Sequence, residues 1–179
     1  MTGLDIRLAR PADVDALVAL YQRAQRWLAS KGSDQWAKNT ADGTRAKLVR
    51  SISNGDCYLA EVGGNVVGMV TVDDFADPEF WRSEDKPEDA LYVHRMVIDR
   101  TVAGRNLGTA LLDWAESVAA SRNRRLLRLD AWRTNVPLHR YYEAQGFALV
   151  RTVELGHRGS GALFERAVRQ NVKPDQSHV

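Results

Sequence analysis

The chain has one cysteine, Cys57, in 179 residues, and no apolar run approaching the ~18–20 residues that cross a bilayer. A lone cysteine excludes an internal disulfide framework and agrees with a reducing compartment. Its setting, DCYLAEV, reads as a strand with a buried thiol rather than a nucleophile. The histidines, His94, His139, His157 and His178, show neither HxxxH nor CxxC spacing, so no metal site is expected. The opening MTGLDIRLARPADVD lacks the basic-then-apolar order of a signal peptide, which points to the cytoplasm and to no membrane partner. A net charge of +2, without a lysine-rich tail or a helix interleaving basic and aromatic residues, gives no reason to expect nucleic acid as a partner.

What the chain does contain is ordinary for one folded domain: 44% hydrophobic and 27% charged residues. The domain is expected over 4–170, with a polar tail at 171–179. LDIRLA (4–9) alternates like a short strand, and Pro11 opens a helix over 11–30 carried by Val14, Leu17, Val18, Tyr21, Ala24 and Leu28. A second helix is expected over 42–53. Strands over 56–62 and 65–73 flank Gly63-Gly64, a hairpin signal. The segment 74–89 is polar and proline-containing, and reads as a loop. A strand follows at 91–99, then a helix over 107–119 with an unbroken apolar stripe from Leu107 to Ala119. The strand 126–132, the helix 136–145 and a strand pair turning at Gly159–Gly161 complete the chain. One long helix between strands 91–99 and 126–132 makes them parallel neighbours, while the early hairpin makes the remainder antiparallel. The expected class is α/β, a mixed, mostly antiparallel sheet with helices on both faces.

The richest stretch is MVIDRTVAGRNLGTALLDW (96–114), where a strand enters a glycine-bearing turn that opens directly into a helix. Free backbone N–H groups and the positive helix end then converge on one point, an anion site. Gly104 and Gly108 either clear space for a ligand's phosphates or serve a tight, closely packed turn. Gly108 is followed by Thr109-Ala110 rather than by the lysine and then serine or threonine of a P-loop, and GxGxxG is absent.

AGRNLGTALL after LYVHRMVID resembles the pyrophosphate loop of the GNAT acetyltransferases, and LRLDAWRTNVPLHRYYEAQGF (127–147) is similar to their strand, asparagine, helix and Tyr-x-x-x-Gly-Phe. The resemblance spans about residues 4–168. It implies acetyl-CoA as cosubstrate, bound by Ala103, Gly104, Arg105, Asn106, Leu107, Gly108 and Thr109, and a parallel strand pair that splays so that Met96, Val97 and Ile98 face the pantetheine. Ala103 stands where the family has Gln or Arg. Asn106 replaces the middle glycine, and asparagine tolerates left-handed backbone better than other side chains.

The same resemblance implies acetyl transfer to a primary amine of a small molecule or peptide by direct attack in a ternary complex. A coenzyme-binding domain without catalysis is the alternative, and a homodimer is compatible with either. Tyr142 falls on the family tyrosine that assists the thiolate, although Leu138, Tyr141 and Tyr142 also share an apolar helix face. Asn135 is suited to cap its helix, and in the family contacts coenzyme. His94, on the strand carrying the thioester and on the opposite face from Val93 and Arg95, has the titration range of a base, although a satisfied sheet histidine is the more ordinary reading. Asp130 and Asp73 are further base candidates. Trp36, in SDQW (33–36), is a candidate acceptor wall. The run 73–89 holds eight acidic residues against Arg82 and Lys86. It is either a solvated surface or a device attracting a cationic acceptor such as a polyamine, an aminoglycoside or a basic peptide.

Overall fold

The computed structural model describes residues 3–102 and 104–169, so Ala103 and the 171–179 tail lie outside the described residues. Strand β1 (Leu4–Leu8) leads through a turn at Pro11 into α1 (Val14–Ser30), which buries Leu17, Leu20, Tyr21, Ala24 and Leu28 at helical spacing. Helix α2 (Ala41–Ser53) starts at Thr40, whose side chain accepts from the Gly43 N–H. The hairpin β2 (Cys57–Val62) and β3 (Asn65–Asp73) turns at Gly63-Gly64, both at positive φ. Then come β4 (Ala90–Ile98), α3 (Leu107–Ser121), β5 (Leu126–Trp132), α4 (Val136–Ala144), β6 (Ala148–Thr152) and β7 (Ser160–Ala167).

The seven strands form one sheet in the order β1-β2-β3-β4-β5-β7-β6, with β4 and β5 parallel and every other pair antiparallel. Strand alternation sends Tyr58, Val70, Val72, Leu91, Val93 and Leu129 to the face covered by α3 and α4. It sends Cys57, Leu59, Met69 and Val97 to the face covered by α1 and α2. Burial pushes the Cys57 thiol up to about 11, as a core cysteine requires.

Two segments differ from the sequence reading. The last hairpin turns earlier, around Gly156-His157, with a bridge between Leu155 and Arg158. Gly159 and Gly161 serve packing instead, because a Cβ on Gly159 would meet the Trp132 ring at 2.0 Å and one on Gly161 the Val153 carbonyl oxygen at 2.1 Å. The 74–89 segment is irregular but not merely solvated. Phe80 and Trp81 are buried with Ala90, Tyr92 and Leu163, covering the part of the α1 face that the helices leave open.

Candidate functional site

The parallel pairing of β4 and β5 runs only from Ala90–Leu126 to Val93–Leu129. Beyond that point the strands part, and a continuous cleft of about 1570 Å³ opens between them, reaching from α3 and α4 through to α1 and the α1–α2 loop. Single small-ligand pockets measure about 300–1,000 Å³, so this cleft has room for more than one bound molecule. Met96, Val97 and Ile98 line it, as does Trp36. Trp36 stacks on Tyr21 with ring centroids 4.6 Å apart.

The α3 end of the cleft is built for an anion. Asn106 sits at φ 57, makes no side-chain cap, and passes its carbonyl to the Ala110 N–H. The N–H groups of Leu107, Gly108 and Thr109, in the first turn, are therefore left to point out of the helix end. Leu107 is buried, so its contribution there is its backbone alone. Arg105 is exposed beside them. Gly104 has φ 84 with open space around it. Gly108 has a different reason: a Cβ there would lie 2.2 Å from the Tyr141 hydroxyl. That hydroxyl is buried without a hydrogen-bond partner among the described residues, so it too is free to donate at the helix entrance. In the sequence, Tyr141 had no role beyond the apolar face of α4. A row of free N–H donors and an unpaired hydroxyl fits a diphosphate, and the cleft beyond fits an extended thioester arm.

Asn135 caps α4 through Oδ1, which accepts from the Leu138 N–H at 3.1 Å. Its Nδ2 donates to Gln35 Oε1 at 2.8 Å, and Trp132 Nε1 donates to Asp34 Oδ1 at 2.8 Å. The loop 33–36 thus reaches across the cleft from α1 to β5, with both ends of the Asn135 amide engaged. Tyr142 is buried, its ring set edge-on to Phe147 and against Phe164 at 5.8 and 5.9 Å. Burial first, then Tyr141 and Asp130, push its pKa well above the ordinary phenol value.

At the apex of the cleft, His94 and Asp130 are the first residues past the Val93–Leu129 pair, one on each strand. Both follow residues facing α3, so both point to the α1 face. His94 Nε2 lies 3.1 Å from Asp73 Oδ1. Burial raises the Asp130 pKa, with nearby Asp77 raising it further and His94, Ser160 and Arg158 opposing. Three of the residues considered as bases in the sequence are thereby brought together.

Arg95 departs from the simple alternation. Between the pairs Thr71–His94 and Met69–Val97, two residues of β4 oppose Val70, and Arg95 takes up the bulge at φ 48. Such a backbone costs on the order of 1–3 kcal/mol for a non-glycine residue. It turns Arg95 onto the α1 face beside His94, rather than opposite it.

The acidic run is largely neutralised. Arg158 pairs with Asp77 and Glu79, Arg151 with Asp85, and Arg125 with Asp89. Arg128, stacked 4.6 Å over Trp81, donates to the Asp85 carbonyl at 2.7 Å. Asp85 and Asp89 fasten the segment to the sheet, whereas Asp74, Glu84 and Glu88 are exposed and make no salt bridge among the described residues.

A sequence model described as the Acetyltransferase (GNAT) family matches residues 21–147, and the chain belongs to that family. An uncharacterised N-acetyltransferase of Bacillus subtilis, YesJ, is 26% identical over 160 residues, covering 87% of this chain and 86% of its own length. An uncharacterised N-acetyltransferase of Archaeoglobus fulgidus is 26% identical over 159 residues, covering 88% of this chain and 99% of its own. The fold is shared with a GNAT acetyltransferase of Streptococcus agalactiae (TM-score 0.75, 23% identity, 94% and 97% of the two chains covered). It is also shared with the PaiA N-acetyltransferase of Thermoplasma acidophilum, solved in complex with coenzyme A (TM-score 0.68, 19% identity, 92% and 99% covered).

Proposed function

We propose that the protein transfers an acetyl group from acetyl-CoA directly to a primary amine, with both substrates bound in the one cleft. The observation that carries this is the parting of β4 from β5 immediately after Val93–Leu129, which sets His94 and Asp130 at the junction of the two halves. The free first-turn N–H groups of α3 and the Tyr141 hydroxyl hold the diphosphate. The unpaired edges of the splayed strands, at Met96 to Ile98, hold the pantetheine arm as a neighbouring strand would. Bound there, acetyl-CoA supplies an activated acyl carbon and a thiolate leaving group.

The residues then supply position and proton handling. An alkylammonium of pKa ~10.4 must lose a proton before its nitrogen can form the new bond. With Nε2–H donating to Asp73, His94 keeps Nδ1 free to accept that proton. Asp130, its affinity for protons raised by burial, stands beside it as a second acceptor. On the other side, Tyr142 lines the cleft and stays protonated. Its raised pKa lies above that of a model thiol (~8.5), so it stabilises the departing thiolate by donating a hydrogen bond, rather than by full proton transfer. With the ammonium's first proton on His94, the C–S bond breaks as the C–N bond forms, the second nitrogen proton goes to Asp130, and the thiolate takes its proton from solvent.

Calorimetry with acetyl-CoA, followed by a thiol-release assay over a panel of amines, tests the reading. Micromolar binding with amine-dependent thiol release is expected. Tight binding with no release for any amine would favour a coenzyme-binding module, and failure to bind acetyl-CoA would remove the reading altogether.

A further inference from the structure

Arg95 has no role in the acetyl transfer just described, yet the fold strains its own backbone to hold it in the cleft. It occupies the β4 bulge at φ 48 and lies on the α1 face with Thr71, Cys57 and Tyr21. Its Nη2 makes one long hydrogen bond, 3.4 Å to Thr71 Oγ1, and its Nε is buried with no acceptor. Among the described residues no carboxylate lies within 4.0 Å of the guanidinium. Asp73, close enough to be felt, spends Oδ1 on His94. Of the other arginines lining the cleft, Arg158 is matched by Asp77 and Glu79 and Arg133 by Glu154 at 2.9 Å, while Arg50 and Arg100 are exposed to solvent, Arg100 lying over the Trp27 ring.

A guanidinium withdrawn from water without a partner is costly, and cores either pair or eliminate it. One that persists in a cleft, with donors open, is a receptor for an anion that arrives with a ligand. The free N–H groups of α3, suited to the coenzyme's phosphates, are on the opposite face of the sheet. The anion therefore belongs to the acceptor. Guanidinium forks match carboxylates in two parallel hydrogen bonds. The neighbouring residue, on the same face, is His94. An amine and a carboxylate attached to one carbon are the matching pair of groups.

We infer that the acceptor is a free α-amino acid, with Arg95 binding its carboxylate and His94 facing its amine. The inference rests on the acetyl-transfer reading for the amine's fate, but not for the carboxylate's. Arg95 then sets specificity: it favours acceptors bearing the carboxylate and is indifferent to the coenzyme. An unpaired guanidinium at the apex disfavours polyamines, so the α-amino acid competes with the cationic acceptor expected from the acidic run.

The test uses protein loaded with coenzyme A and measures binding by calorimetry before any turnover. Free L-amino acids with apolar, polar and acidic side chains are compared with the matching primary amines that lack the carboxylate and with the amino-acid amides. At least one amino acid is expected to bind about 10–100-fold more tightly than its amine and its amide, the span of a charge-assisted contact. Arg95→Met erases that preference, Arg95→Lys keeps part of it, and affinity for acetyl-CoA is unchanged in both. With thiol release as readout, Arg95→Met raises KM for the amino acid and erases its kcat/KM advantage over the bare amine. Arg95→Met also melts higher than the parent, whereas loss of a structural guanidinium would lower the melting temperature. The inference is overturned if no amino acid binds, if amines or amides bind as tightly, or if Arg95→Met weakens all three classes equally. A carboxylate preference without thiol release would keep this inference and remove catalysis. Thiol release without the preference would do the reverse.

Discussion

His94 Nε2 lies 3.1 Å from Asp73 Oδ1, and His94 is the first residue of β4 released from β5. The carboxylate fixes both the ring's tautomer and its direction, so that the free Nδ1 can serve the acceptor amine. His94→Ala should lower kcat by about 10²–10⁴-fold. Asp73→Asn should give a smaller loss in kcat, with acetyl-CoA affinity unchanged in both variants. Stopped turnover assays across pH with calorimetric coenzyme titrations check this. A His94→Ala enzyme of full activity would pass the base role to Asp130.

Gly108 and Tyr141 form a second coupled pair, because a Cβ at position 108 would lie 2.2 Å from the Tyr141 hydroxyl and 3.1 Å from its Cζ. Gly108→Ala is therefore expected to lower both the melting temperature and coenzyme affinity by displacing the ring from the start of α3. Tyr141→Phe removes the nearer obstacle and a buried hydroxyl that has no partner, so it should leave stability intact and weaken coenzyme binding modestly. Combined, the two should be less harmful to stability than Gly108→Ala alone, with a coupling of about 0.5–3 kcal/mol. Strict additivity in thermal melts would mean the glycine answers to the ligand only.

The sequence carried the elements and the anion loop because both are local. The stripe from Leu107 to Ala119 specifies α3, and Asn106 enters the left-handed region that its side chain tolerates. The mixed sheet with helices on both faces follows from the same periodicities and the β–α–β connection. What stayed hidden depends on register between distant segments. His94 meets Asp130 only because Val93 pairs with Leu129, and Arg95 joins them only because β4 bulges opposite Val70. Asp34 and Gln35 meet Trp132 and Asn135 across some hundred residues of chain. The buried Phe80 and Trp81 were concealed by the acidic residues around them, whose arginine partners, Arg125, Arg151 and Arg158, lie far along the chain.

Those ion pairs make the acidic segment a matter of stability. Arg151, donating to Asp85 at 2.8 and 2.5 Å, holds the Asp85 carboxyl down to about 2, with the Arg82 N–H adding to the effect. A depressed folded-state pKa contributes stability above the unfolded value near 4, and that contribution disappears as pH falls through about 2. For a pair at the protein surface it amounts to roughly 1 kcal/mol. Asp85→Asn should lower the melting temperature at pH 7 and shrink the difference from the parent as pH approaches 2, without changing acceptor affinity. Weaker acceptor binding at an unaltered melting temperature would instead return the segment to the acceptor site.

Tyr142 is the residue for which packing and chemistry are hardest to tell apart, since its ring is fixed among Tyr141, Phe147 and Phe164. Tyr142→Phe separates them, because the ring contacts survive and only the hydroxyl is lost. Burial keeps that hydroxyl protonated across the working pH range, so its contribution is a hydrogen bond that strengthens as charge gathers on sulfur. Removing it should lower kcat by about 10–10³-fold, with acetyl-CoA affinity and melting temperature little changed. The defect should also be largest with coenzyme thioesters whose thiols have the highest pKa, where the leaving group most needs the bond. A variant that loses stability but keeps its turnover per folded molecule would show that the tyrosine serves the core alone.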